Sequence, residues 1–115
     1  MINANIIAIR PATGTWVVRA GGAVIAESSK VLELVEDGFS PVIFFPKSDI
    51  AMAFLEPSAQ RSADPRKGDA QYYGIVTKST LIENAAWAYD APNELVAALE
   101  DHVAFHPGTV AVEQL

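Results

Sequence analysis

Hydrophobic and polar positions alternate with the two-residue period of a β-strand along most of this chain, and helical spacing is confined to one stretch near its end. Thr15 to Ala20 and Ala23 to Ser28 flank Gly21-Gly22, a two-residue link of the kind that closes a hairpin with positive φ angles. Pairing across that link places Trp16, Val18, Ala23 and Ile25 on one face, which predicts a core face. Val31 to Val35 reads as a further strand. Asp37-Gly38 then marks a turn before Pro41 to Pro46, a short apolar strand bounded by prolines. From Ile50 to Glu56, Met52 and Phe54 alternate against Ala51, Ala53 and Leu55. That run fits a strand or a turn of amphipathic helix. Tyr72 to Thr77 is aromatic and β-branched, as strands are, Lys78-Ser79-Thr80 turns the chain, and Ala85 to Tyr89 puts Trp87 and Tyr89 on the same side.

The helical spacing begins at Pro92, which suits a first helical position with Asp90 or Ala91 as its cap and Glu94 in the first turn. Leu95, Val96, Leu99 and Val103 form its apolar stripe, His106-Pro107-Gly108 ends it, and Thr109 to Val112 reads as a last strand. The pattern predicts a mainly β fold, a small single domain over residues 1–115 with one short C-terminal helix.

Composition narrows the class. A chain of 115 residues suits one domain, and 50% hydrophobic with 19% charged residues indicates a folded core. The absence of cysteine removes disulfides, thiolate zinc sites and a Cys nucleophile. No apolar run reaches membrane-spanning length, and Met1 to Ile7 lacks the basic and apolar regions of a secretory signal, so a cytoplasmic protein without a membrane partner is expected. The net charge of −6 falls on the last third: residues 79–115 hold six acids and no Lys or Arg. Nucleic acid, held mainly by Lys and Arg, is not an expected partner.

The chemistry gathers in Gln60 to Ala70, where Arg61, Arg66 and Lys67 lie among Asp64 and Asp69 between two apolar strands. A polar segment marked by Pro65 and Gly68 reads as a loop, and loops on rigid scaffolds carry binding groups. Arg66-Lys67-Gly68 offers two cations and a flexible amide to a phosphate or carboxylate, without the longer glycine spacing of a phosphate-binding loop. The plainer reading pairs Arg66 and Lys67 with Asp64 and Asp69 in a solvated turn. Trp87 and Tyr89, with Tyr72 or Tyr73, form an aromatic wall for a flat ligand or else part of the core. His102 and His106 have the i, i+4 spacing of zinc-binding helices but no Glu between them in the required place, so no metal site is expected.

From Pro41 onwards the chain resembles the small bacterial family known as domain of unknown function 427. The resemblance rests on Phe45-Pro46, Asp49, Leu55, Pro57-Ser58, Pro65, Lys67-Gly68, Ala70, Tyr72, Ala86-Trp87, Tyr89, Pro92 and Val103-Ala104-Phe105, with Gly21-Gly22 and Ala26-Glu27-Ser28 fitting as well. It implies two antiparallel sheets in a tent-like, Mss4-like topology, and a family label suggests nucleotidyl transfer. Asp64 stands where the family often shows Cys, Ser62 where it shows Thr, and His106 where it often shows Tyr.

Together these readings predict a small anionic or nucleotide-like ligand in a cleft beside residues 60–73, bound by Asp49, Arg66, Lys67, Gly68, Tyr72, Trp87 and Tyr89. Catalytic residues and cofactors are not defined by the sequence. The alternatives are a nucleotidyltransferase-like enzyme and a structural module that forms a homodimer through a sheet edge.

Overall fold

The computed structural model describes residues 6–115, so most of the segment read as lacking a secretory signal, Met1 to Asn5, lies outside the described residues. Ten strands follow in chain order: β1 Ile7–Pro11, β2 Trp16–Ala20, β3 Ala23–Ser28, β4 Leu32–Glu36, β5 Val42–Pro46, β6 Leu55–Asp64, β7 Gly68–Val76, β8 Leu81–Pro92, β9 His102–Phe105 and β10 Ala111–Gln114. They form a seven-stranded sheet in the order β1-β4-β5-β9-β8-β7-β6 and a three-stranded sheet in the order β10-β2-β3. Every ladder is antiparallel.

The first hairpin forms because Gly21 and Gly22 take φ of 55° and 80°, the pair of left-handed residues that matches strand twist. Its ladder pairs Ala20 with Ala23 and Trp16 with Ser28, with a bulge between Val18 and Arg19. The expected face is realised: Val18 and Ile25 are buried between the sheets, with Trp16 and Ala23 packed against them. Facing them from the large sheet are Phe45, Ile75, Val103 and Phe105. Ala85, Ala86 and Ala88 of β8 join the same core, small side chains that let the layers approach closely.

The other face of the large sheet carries a second core of Leu34, Phe44, Ala70, Tyr89 and Ala104, covered by Val96 and Leu99. Those two come from the segment expected to be helical. Here the structure differs from the sequence pattern. β8 runs on through Pro92, Asn93 takes the cap position, and Glu94–Leu99 makes only 3₁₀ turns broken at Val96. Asp101, at φ 60°, reverses the chain into β9. The reason lies in Val103-Ala104-Phe105, which fill the central strand between β5 and β8. An α-helix through them would remove the middle of the sheet.

The second difference concerns Gln60 to Ala70. It is not a loop but a hairpin, with β6 extending to Asp64 and β7 starting at Gly68. β6 lies at the sheet edge with most side chains in solvent, so its polar composition is compatible with backbone pairing. The ambiguous Ile50 to Glu56 run splits into a 3₁₀ turn at Met52–Phe54 and the start of β6 at Leu55. Among the described residues no helix is long and apolar enough to cross a membrane.

Candidate functional site

Asp64 shapes the hairpin tip. Its Oδ1 accepts the backbone N–H of Arg66 at 2.8 Å and of Lys67 at 3.1 Å, the side-chain mimicry of a turn that Asp performs well. Burial pushes the Asp64 carboxyl up, but those two amides and the Lys67 ammonium together hold it below its usual range. Gly68 follows at φ +105°, and a Cβ there would stand 2.7 Å from the Ala91 carbonyl oxygen. Only glycine lets the tip lie this close to the end of β8. Asn93 then clamps it, its side-chain amide donating to the Pro65 carbonyl at 2.8 Å and its backbone N–H to the Lys67 carbonyl at 3.0 Å.

The tip bends over the concave face of the large sheet and reaches β4, four strands away from β7. There Lys67 Nζ donates to Glu36 Oε1 at 2.8 Å and lies 3.3 Å from Asp64 Oδ2, while Arg66 Nη2 bonds Glu36 Oε2. The side chains of Lys67 and Glu36 are 13% and 10% exposed, so both charges depend on the ion pairs of the cluster in place of water. For Lys67 the effect of burial, which lowers its basicity, is outweighed first by the Glu36 hydrogen bond, and its pKa is raised.

Beside this cluster lies a pocket of about 390 Å³. Leu34, Val42, Trp87 and Tyr89 supply apolar surface, Glu36, Asp64 and Lys67 supply charge, and Phe39 and Ser40 complete the lining. Phe39 is 69% exposed, a large aromatic ring held at the rim by the Asp37-Gly38 turn. Tyr89 is buried and its phenol is pushed up by that burial, so it stays a neutral hydrogen-bonding group. Phe44 underlies the wall, its ring centroid 6.1 Å from those of both Trp87 and Tyr89. Tyr72 stacks on Trp87 at 6.5 Å, and the His106 imidazole lies 4.4 Å from Trp87.

The expected site residues thus divide. Lys67, Trp87 and Tyr89 line one pocket, Tyr72 and Gly68 support it, and Arg66 completes the ion cluster. Asp49 sits elsewhere: its Oδ2 accepts the Ser28 hydroxyl at 2.5 Å, tying the turn after β5 to the end of β3. The expected Lys67–Asp64 pair is present, but the partner shared by both cations is Glu36 rather than Asp69. Glu36 was not a sequence candidate. Its signal was a charge continuing the inward alternation of Leu32 and Leu34. Among the described residues no group of three His, Asp or Glu stands close enough to hold a metal ion.

Fold and site define a small, mainly β domain with a pocket in the concave face of a curled sheet, closed at one end by a four-residue ion cluster. The chain matches the family model described as domain of unknown function (DUF427), with the short name NTP_transf_9, over residues 8–114, and it belongs to that family. No curated protein matches it.

Proposed function

We propose that this domain binds a small planar ligand, of nucleobase or nucleoside kind, in the pocket between Trp87, Tyr89 and Lys67. The observation that carries the reading is the junction of an aromatic wall with the buried Lys67–Glu36 pair. The volume, about 390 Å³, falls in the range of small-molecule sites. Arg66 and Lys67 are matched in charge by Glu36 and Asp64, so the cluster offers acceptors as well as donors. That balance favours a ring with both kinds of edge group over a bare anion, and it refines the expected anionic or nucleotide-like ligand toward its nucleotide-like form. Two antiparallel sheets over shared cores support the tent-like, Mss4-like topology that the family resemblance implies.

Calorimetric titration and thermal shift test the reading, using nucleosides, their mono- and triphosphates with and without magnesium, and succinate and phosphate as bare anions. Nucleosides should bind and change tryptophan fluorescence, and bare anions should not. Lys67→Met should weaken binding about tenfold to a hundredfold, the loss of one charge-assisted hydrogen bond. Phe39→Ala should weaken binding severalfold while leaving the melting temperature nearly unchanged, because Phe39 is so exposed. Equal binding of succinate and nucleosides would overturn the planar-ligand reading, and unchanged affinity in Lys67→Met would remove the pocket. The family's short name points to nucleotidyl transfer, and that reading requires a triphosphate response that appears only with magnesium.

A further inference from the structure

The ladder between β5 and β9 covers only Phe44 to Pro46, leaving Val42 and Ile43 paired on the β4 side alone. Past Phe105 the chain stays with β8, the His106 N–H donating to the Ala85 carbonyl at 2.9 Å. The two strands therefore part at this end of the sheet, and the parting opens a second cavity of about 350 Å³ between the layers. Trp16, Ile43, Phe105, Pro107 and Val112 line it, an apolar set drawn from both sheets, with the Glu33 carboxylate as the charged group of the lining. Val42 and Trp87 line this slot and the Lys67 pocket alike. The two spaces are thus neighbours across one side chain from each of two strands. One is polar at its end and aromatic along its wall, and the other is mostly apolar, with Glu33 in its lining held by an ion pair to Arg10.

We infer that the ligand is amphipathic: a planar, hydrogen-bonding ring at Trp87, Tyr89 and Lys67 carries an aliphatic tail that passes Val42 into the slot between the sheets. This rests on the pocket assignment made above and adds the chemical class of the molecule. An apolar group that displaces water from such a lining is stabilised, whereas a phosphate would meet the like-charged Glu33 carboxylate and no cation among the lining residues, and a sugar would find Glu33 alone as an acceptor. The Trp87 indole, half-buried and braced by His106 and Tyr72, is the partition past which the tail must turn.

Benzimidazole and its propyl and heptyl derivatives, titrated by calorimetry and tryptophan fluorescence against the full chain, separate head from tail. Benzimidazole alone should bind weakly, with affinity rising about tenfold for every two methylenes that enter the slot. Val112→Trp should fill the slot, abolishing the gain from the heptyl chain while keeping the binding of benzimidazole itself. Ile43→Phe serves the same purpose from the opposite sheet should the first variant fail to fold. Benzimidazole binding with no gain from the tail would overturn the amphipathic inference and leave the head pocket standing. Failure of all three compounds would overturn both.

Discussion

At the scale of single residues, His106 shows how one ring ties packing to pH. Its imidazole packs as an aromatic ring, tilted against Trp87 at 4.4 Å and stacked on Tyr72 at 6.2 Å. Burial lowers its pKa from the ordinary 6.5. The unfolded chain therefore takes up a proton more readily than the folded one, and stability must fall as pH drops from 6.5 through the lower folded value. Urea midpoints measured from about pH 7.5 to about pH 5 should decline, and His106→Phe should flatten that decline. Asp64 acts in a separate, more acidic window. Its depressed pKa contributes stability above the ordinary 3.8 that is lost as pH falls through the folded value. An unaltered pH profile in His106→Phe would mean that the ring is protonated as easily in the fold as in solution.

At the scale of elements, strands whose partners lie close in sequence were legible. The β2–β3 hairpin was written in Gly21-Gly22 and in the alternation on either side of it. The last helix was misread because Leu95, Val96, Leu99 and Val103 satisfy helical spacing. Tertiary pairing decides otherwise, since Val103 to Phe105 complete a sheet whose other strands lie far away in sequence. The polar hairpin was misread for a related reason: backbone ladders do not register side-chain polarity, so an exposed edge strand looks like a loop. Lys67, Trp87 and Tyr89, which line one pocket, could be singled out because charge and aromatic rings are visible in composition. Glu36 was missed because its meaning depends on a strand four places across the sheet. What holds the hairpin tip in place is Asn93, through one side-chain and one backbone hydrogen bond. Asn93→Ala should lower stability by about 1 kcal/mol. It should also speed amide exchange at Gly68 and Lys67 more than at the core residues Phe44 and Val103. Equal protection throughout would show that the Asp64 turn alone fixes the tip.

At the scale of the whole molecule, the pocket exists because the large sheet curls until its β6–β7 tip meets β4, and the ion cluster marks where the two ends touch. The edge of β6 exposes Glu56, Pro57 and Arg61, features that discourage another strand from adding there and weigh against a dimer through that edge. Closure depends instead on the contact between Glu36 and Lys67, two charges with little solvent of their own. Removing either leaves its partner with one counter-charge fewer, Glu36 keeping only Arg66 and Lys67 keeping only Asp64, so Glu36→Gln and Lys67→Met should each lower stability by about 1–2 kcal/mol. The double variant leaves no orphaned charge between those positions and should lose less than the sum, with a coupling of about 1–2 kcal/mol. Urea denaturation of the four proteins measures the cycle, and Trp87 fluorescence reports whether the pocket opens in the single variants. Additive losses would show that water already solvates both charges, and that the curl of the sheet is set by its strand twist and the Val96–Leu99 cover rather than by the ion cluster.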